Sequence, residues 1–207
     1  MKITHLKLKK NIPLPILCVL FGPFFLFLLL IMLLFKSMNS QHTYDRSITQ
    51  NALEGKPAPK INLPLLNNEG FLNLEQFKGH VTLIHFWGSW CLSCHEEHAT
   101  LMQIAKDKRF NLIGINYKDN KNNAQRFLTN FGNPFKFIGL DVSGHTGINW
   151  GVYGPPETFI LNKKNIIIAK HTGPLTWQTF QQQLLPKIET ALIEKISTIN
   201  NPSGKNK

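Results

Sequence analysis

The stretch that decides the fold is residues 81–98, VTLIHFWGSWCLSCHEEH. Its first seven residues form a nearly continuous apolar run, which is typical of a strand buried on both faces of a sheet. Gly88 ends the run, and a stripe at helical spacing then follows at Cys94, His98, Leu101 and Ala105. The stretch therefore predicts a buried strand that leads into a helix, with a Cys-x-x-Cys pair at the junction.

The chain after this junction alternates between strand-like and helix-like segments. Strands are predicted at 111–117, 158–162 and 166–171, and helices at 122–130 and 177–195, the last with a kink at Pro186. A strand, helix, strand, helix, antiparallel pair and closing helix form an α/β layer architecture. The cysteine pair would lie at the carboxyl end of a buried strand, where open α/β sheets commonly place their chemistry.

An apolar segment near the N-terminus, Ile12–Phe35, contains no charged residue. As a helix, its 24 residues would reach about 36 Å, which is enough to cross a hydrocarbon core of about 30 Å. The segment is also longer than a secretory h-region, so we expect an uncleaved anchor. Positive charge precedes the segment at Lys2, Lys7, Lys9 and Lys10. The positive-inside rule therefore places the N-terminus in the cytoplasm and the folded part outside it.

The composition divides the chain into segments. We expect a basic cytoplasmic tail at 1–11, the transmembrane anchor at 12–35, a polar tether at 36–50, one folded domain at 51–195 and a disordered tail at 196–207.

The formal net charge of +11 is scattered along the chain, and no run of basic residues is interleaved with aromatic residues. Nucleic acid is therefore not a predicted partner.

Three cysteines are present, and Cys18 lies in the apolar segment, where it would be a small filler. A disulfide between Cys91 and Cys94 would close only a very short loop and would restrict the unfolded chain little. The pair is therefore expected to have a chemical rather than a structural role. In a dithiol, Cys91 at the helix start would be the attacking thiolate, because the helix dipole favours negative charge there. Cys94, one turn further on, would resolve the mixed disulfide.

Two other chemistries use the same residues. Cys91-x-x-Cys94 followed by His95 is a haem-attachment pattern, but c-type haem domains are mostly helical and this chain has several strand-like runs. A zinc site would add His98 as a ligand. However, His98 would lie about 10 Å from Cys91 along a helix axis, and Zn–S and Zn–N bonds of about 2.0–2.3 Å cannot span that distance. The dithiol interpretation is favoured because the pair follows a buried strand and opens a helix.

The sequence also resembles a known family. The segments FWGSWCLSCHEEH, IGINYKD, FGNPF and GVYGPPETFIL together look like the membrane-anchored periplasmic thioredoxin-like proteins of cytochrome c maturation, the DsbE/CcmG type. The likeness covers about residues 51–187 together with the N-terminal anchor. It implies a thioredoxin-like α/β fold of the TlpA-like variant, with a single N-terminal transmembrane helix in the inner membrane and the catalytic domain in the periplasm.

The resemblance further implies an activity and its partners. The protein would be a thiol:disulfide oxidoreductase that reduces disulfides of an apocytochrome c, or of a partner thiol protein in haem ligation, with no cofactor or metal. A membrane reductase of the DsbD/CcdA kind would supply the electrons. A general reductase of cell-envelope proteins, an escort that binds apocytochrome without turnover, and a haem carrier are the alternatives.

The resemblance also carries over site residues, namely Cys91 as attacking thiol, Cys94 as resolving thiol, Pro156 as a cis-proline beside the pair, and Glu157 as an acidic residue near it. For Glu157, the alternative is an exposed loop carboxylate. The family pattern is not matched everywhere, since Leu92 stands where proline is usual. Pro155 also departs from it, because it lacks the N–H that a substrate normally meets just before the cis-proline.

His85 lies in the middle of the apolar strand, where thioredoxin carries a buried Asp. We hypothesise that His85 accepts a proton from Cys94 during exchange, and the alternative is a buried histidine satisfied by a backbone carbonyl.

The charges around the cysteine pair predict the direction of electron flow. Glu96, Glu97 and Glu157 would place negative charge near Cys91, which disfavours its thiolate and predicts a reductant. A protonated His95 would act in the opposite direction.

Overall fold

The structure, a computed structural model, describes residues 14–39, 53–67 and 69–194. The chain divides into two compact units, residues 1–46 and 47–207. The first contains helix α1, Leu14–Asn39, with Pro23 inside it. Among the residues described, no helix combines the length and the apolar character needed to cross a membrane, so the anchor predicted at 12–35 is not confirmed.

Several predicted segments lie outside the described residues. They are the basic tail at 1–11, most of the tether, at 40–50, and the tail at 196–207.

The second unit is built on a mixed sheet of five strands in the order β5–β4–β3–β6–β7, beside a two-stranded hairpin of β1 and β2. The strands are β1 (Asn62–Pro64), β2 (Phe71–Asn73), β3 (Thr82–Trp87), β4 (Asn111–Tyr117), β5 (Phe137–Asp141), β6 (Glu157–Leu161) and β7 (Ile167–Thr172). β3, β4 and β5 are parallel to one another, whereas β6 and β7 run antiparallel to their neighbours.

Helices connect the strands. They are a 3-10 helix at Leu74–Phe77, α2 (Leu92–Ile104), α3 (Lys121–Phe131), α4 (His145–Asn149), and a closing helical segment of α5 (Trp177–Thr179), a π-helical turn (Phe180–Leu184) and α6 (Leu185–Ile193). The π-helical turn ends two residues before Pro186, which has no N–H for the helical ladder. The predicted irregularity at Pro186 is therefore present as a local change of helix type.

The sheet has an apolar core on each face. Successive side chains of a strand point to opposite faces, and every residue of β3 is buried. Leu83 and Trp87 belong to the core that includes α2, α3 and the closing helical segment. Ile84 and Phe86 belong to the other core, with the hairpin and the buried Trp150. His85, between them in sequence, therefore shares the face that α2 covers.

From residue 81 onward, the predicted strands and helices agree with the observed elements apart from small shifts at their ends and two omissions. The sequence analysis missed strand β5 and the short helix α4. It also described the buried stripe of α2 incompletely, because Glu97 and Ile104 are buried there whereas Ala105 is only half-buried.

Candidate active site

Cys91 and Cys94 are joined by a disulfide at the junction of β3 and α2, with their Cα atoms 5.3 Å apart. Cys91 is the N-cap residue of α2, and its Sγ atom accepts a hydrogen bond of 3.2 Å from the backbone N–H of Cys94. Cys91 is 6 % exposed and Cys94 is 2 % exposed. The first sulfur of the pair therefore lies at the helix N-terminus, where negative charge is favoured, and the second is more shielded.

The turn before Cys91 is held by a side chain that the sequence analysis did not single out. The buried Asp119 accepts a hydrogen bond of 2.7 Å from the backbone N–H of Ser89 through Oδ2, and that oxygen also accepts from Asn116 Nδ2 at 3.0 Å. Trp90 Nε1 donates to the backbone oxygen of Lys118 at 3.1 Å. The loop after β4 thus fixes the approach to the cysteine pair.

The segment before β6 lies against the cysteine pair. The peptide bond between Pro155 and Pro156 is cis, in agreement with the resemblance, and the backbone oxygen of Pro155 is 3.5 Å from Cys91 Sγ. The backbone oxygen of Pro156 accepts a hydrogen bond of 2.9 Å from Gly173. Pro155 thus presents a carbonyl, but no N–H, next to the first sulfur.

Glu157 is fully buried in β6 and is not an exposed loop carboxylate. Its Oε1 atom accepts a hydrogen bond of 3.0 Å from Tyr153, and its Oε2 atom is 2.8 Å from Lys170 Nζ. Glu157 pairs with Phe86 across the sheet, so its side chain shares the face of Phe86, opposite to that of His85. Its charge is therefore compensated by Lys170 and does not act freely on Cys91.

His85 is also fully buried, and its partners differ from those considered from the sequence. Its Nδ1 atom lies 2.9 Å from the hydroxyl oxygen of Thr158, its register partner on β6. Its Nε2 atom lies 3.1 Å from Oε1 of Glu97, at ion-pair distance, although the two atoms are not aligned as a hydrogen bond. The backbone carbonyl that the alternative assumed for His85 is therefore replaced by a hydroxyl and a carboxylate.

Glu97 was expected among the charges that surround Cys91, but it is 3 % exposed and faces the sheet. Its Oε2 atom accepts a hydrogen bond of 2.6 Å from the backbone N–H of Leu175. Of the three acids expected around the pair, Glu96 alone is exposed. The predicted field of negative charge is thus weaker than the sequence indicated.

Two further histidines belong to this region. Burial lowers the pKa of His171, which neighbours Thr158 in the sheet, and repulsion from His85 acts in the same direction, against attraction by Glu97. Burial likewise lowers the pKa of His98, whose Nε2 donates to the backbone oxygen of Gly132 at 3.0 Å. Both imidazoles are therefore held towards the neutral form.

The histidine of the haem-attachment pattern is otherwise engaged. His95 is exposed, and its Nε2 donates to the backbone oxygen of Ser89 at 2.8 Å.

The surface around Cys91 carries exposed apolar side chains. Trp90 is 58 % exposed, Leu92 is 74 % exposed and Tyr153 is 80 % exposed. Such a surface suits contact with another protein better than with a small polar molecule.

The fold and the disulfide at the tip of α2 define the class of protein: residues 53–191 match the Redoxin family. The chain is 38 % identical over 153 residues to the thiol:disulfide interchange protein CycY of Rhizobium leguminosarum bv. viciae, which covers 73 % of this chain and 79 % of that protein. It is 36 % identical over 178 residues to the thiol:disulfide interchange protein DsbE of Xylella fastidiosa, which covers 86 % and 88 % of the two chains.

The chain belongs to the DsbE/CycY family of thiol:disulfide interchange proteins, and it is a thiol:disulfide oxidoreductase. A solved structure agrees with this assignment. The crystal structure of a secreted thiol-disulfide isomerase from Corynebacterium glutamicum superposes with a TM-score of 0.57 at 26 % identity, covering 64 % of this chain and 85 % of that one.

Proposed function

We propose that this oxidoreductase is a periplasmic reductant in cytochrome c maturation, acting on the disulfide of an apocytochrome c or of a partner thiol protein in haem ligation. The observation that carries the proposal is the Cys91–Cys94 disulfide at the N-terminus of α2, beside the carbonyl of Pro155. The names of the DsbE and CycY relatives support disulfide interchange, and the resemblance supports the more specific substrate.

The reaction starts from the reduced pair. The Cys91 thiolate attacks one sulfur of the substrate disulfide, the substrate S–S bond breaks, and the released substrate thiolate takes up a proton. Cys94 then loses its proton and attacks Cys91 Sγ, which forms the Cys91–Cys94 disulfide and releases the second substrate thiolate. Two electrons pass to the substrate, and a membrane dithiol protein of the DsbD/CcdA kind would return them to the pair.

Three other residues are assigned supporting roles. His85 would accept the proton that Cys94 releases, and the adjacent carboxylate of Glu97 would stabilise the imidazolium so formed. Pro156 would set the direction of the carbonyl that a substrate meets. Glu157 would act near the site through the backbone of Tyr153 rather than through its charge on Cys91.

The proposed location rests on the N-terminal segment. Residues 12–35 carry no charge, four lysines precede them, and the side chains of residues 21–36 are exposed. A hydrocarbon environment would cover such side chains, so we propose that this segment anchors the chain in the inner membrane with the second unit in the periplasm.

Trapping a mixed disulfide tests the proposal. The full-length Cys94→Ser variant should capture an oxidised peptide with a Cys-x-x-Cys-His sequence through Cys91, whereas the matched Cys91→Ser variant should capture none, because only Cys91 is placed to attack. Mass spectrometry identifies the linked cysteines. The wild type should also reduce this peptide faster than it reduces insulin.

The alternatives predict different results. Equal rates with the peptide and insulin would indicate a general envelope reductase. Peptide binding that survives Cys91→Ser unchanged, without a covalent link, would indicate an escort. A Soret band in the purified protein would indicate a haem carrier.

A further inference from the structure

Lys170 on β7 is a buried cation that no sequence motif singles out. Its side chain is 5 % exposed, and its Nζ atom lies 2.8 Å from Oε2 of Glu157. Nζ also donates to the backbone oxygen of Gly151 at 2.8 Å and lies 5.1 Å from the ring centroid of Phe159. A buried ammonium group is costly unless it is paired, so this set of partners explains how the charge is tolerated.

Two partners of Lys170 lie at the ends of the loop, residues 150–156, that joins α4 to β6. Gly151 lies near the start of this loop, and Glu157 is the first residue of β6 directly after it. The other carboxylate oxygen of Glu157, Oε1, accepts a hydrogen bond from the backbone N–H of Tyr153 in the middle of the loop. The ammonium group of Lys170 therefore contacts both ends of the segment that brings Pro155 to Cys91, and through Glu157 it also stabilises the middle.

This loop offers a substrate few points of attachment. Pro155 supplies a carbonyl 3.5 Å from Cys91 Sγ but no N–H, so a bound polypeptide can form one backbone hydrogen bond to that residue rather than two. The ring of Tyr153 is exposed, lies 5.9 Å from Lys170 Nζ, and offers a large apolar surface on this loop. With fewer attachments, binding depends more strongly on how accurately the loop is held.

We propose that Lys170 is a positioning residue, which through its ion pair with Glu157 holds the Tyr153–Pro155 segment in place and so determines how tightly a disulfide-bearing polypeptide binds beside Cys91. This inference rests on the proposed function, because it assumes that Cys91 attacks polypeptide disulfides. It assigns Glu157 to substrate binding through the loop and leaves the thiol chemistry to the cysteine pair and its neighbours.

The test compares a large substrate with a small one. Pre-reduced full-length protein is mixed with excess oxidised Cys-x-x-Cys-His peptide, and the half-saturating concentration and limiting rate are measured separately. 2-Hydroxyethyl disulfide, which has no backbone to bind, serves as the small substrate. In Lys170→Met we expect the half-saturating peptide concentration to rise about tenfold, while the limiting rate and the rate with the small disulfide change by less than about twofold.

Three further variants accompany this one. Lys164→Met removes the same charge from an exposed position and should behave as the wild type. The double variant Lys170→Met/Glu157→Gln removes both buried charges, so it keeps the test possible if the single variant does not fold, and it should show the same weakened peptide binding. Tyr153→Ala, at an exposed position, should weaken peptide binding without any effect on the small disulfide.

Each outcome decides between the two proposals. If the wild type reduces the peptide and the Lys170 variants bind it equally well, the positioning role is wrong and the proposed function stands. If the variants slow the reaction with the small disulfide by the same factor as the reaction with the peptide, relative to the wild type, Lys170 acts on the thiols or on the fold. The positioning role is then again wrong. If the wild type reduces no peptide, the proposed function fails first and this inference fails with it.

Discussion

The Nε2 atom of His85 lies 3.1 Å from Oε1 of Glu97, and both side chains have no exposed surface. One residue is in the central strand β3 and the other is in α2, one turn after Cys94. The pair therefore links the strand to the helix directly behind the disulfide. A buried carboxylate and imidazole that depend on each other are costly to separate, because the remaining group is left without compensation.

Breaking this pair should reduce stability strongly. We expect His85→Asn or Glu97→Gln to lower the free energy of unfolding by about 3–5 kcal/mol, as measured by urea denaturation of the oxidised protein. The double variant should cost less than the sum of the two, because each single change leaves one partner unpaired. Glu96→Gln, at the exposed neighbour, should change stability by less than about 0.5 kcal/mol. Additive effects of the two buried changes would show that the pair is not coupled.

Gly114 on β4 should not tolerate a side chain. It is the register partner of His85, and an added Cβ would lie 2.8 Å from Trp87 Nε1 and 2.9 Å from the ring of Phe135. Gly114→Ala should therefore destabilise the protein by about 1–3 kcal/mol, because the two rings must shift. Gly154→Ala, whose Cβ would meet nothing within 4 Å, is the matched control for urea denaturation. Equal stability of the two variants would contradict the expected crowding.

The strand-to-helix junction could be predicted from the sequence because its signals are local. A continuous apolar run, a Gly-Ser break and a helical stripe each occupy only a few neighbouring residues, and strand β4 was predicted at its observed bounds for the same reason. Strand β5 was missed because it follows a proline and a lysine and contains a glycine, all of which weaken a strand pattern. Helix α4 is only five residues long, which is too short for a helical period to be visible.

The contacts of the buried charged residues could not be predicted from the sequence in the same way. Glu97 occupies a core position of α2 by its spacing from Cys94, but its residue type argued for the surface, and its partner His85 lies on another element. Lys170 and Glu157 are diagonal neighbours on β6 and β7, so their contact depends on the strand register. These relationships are tertiary, and a single sequence does not contain the register that creates them.

Asp119 should contribute both to stability and to exchange. Its carboxylate accepts hydrogen bonds from the N–H of Ser89 and the amide of Asn116, and both donors would lose an acceptor in Asp119→Ala. We expect a loss of about 1–3 kcal/mol in the free energy of unfolding, together with slower disulfide exchange because the turn before Cys91 is less well held. Urea denaturation and the single-turnover rate measure the two effects.

A surface carboxylate provides the control for Asp119. Asp107 pairs with Arg109 at the surface, and Asp107→Ala should cost less than about 1 kcal/mol and leave exchange unchanged. If Asp119→Ala matched this control in both measurements, the hydrogen bonds to the turn would have no energetic importance.

Burial of His98 should make the stability of the protein depend on pH. Burial lowers its folded pKa below the ordinary value of 6.5, so between these two values the unfolded chain binds more protons than the folded one. Stability should therefore be greatest above about pH 6.5 and should be lost as the pH falls through the folded pKa. His171, whose pKa burial also lowers, adds a loss of the same sign.

Urea denaturation of wild type and His98→Gln at several pH values between about 7.5 and 5 measures this effect. The glutamine amide can still donate to the backbone oxygen of Gly132, the partner of His98 Nε2, but it does not titrate. The variant should therefore lose less stability on acidification than the wild type, with the contribution of His171 remaining. His145→Gln, at an exposed histidine, should keep the full pH dependence. A wild-type pH dependence in His98→Gln would mean that the charge on His98 is tolerated in the folded protein, contrary to the expected effect of its burial.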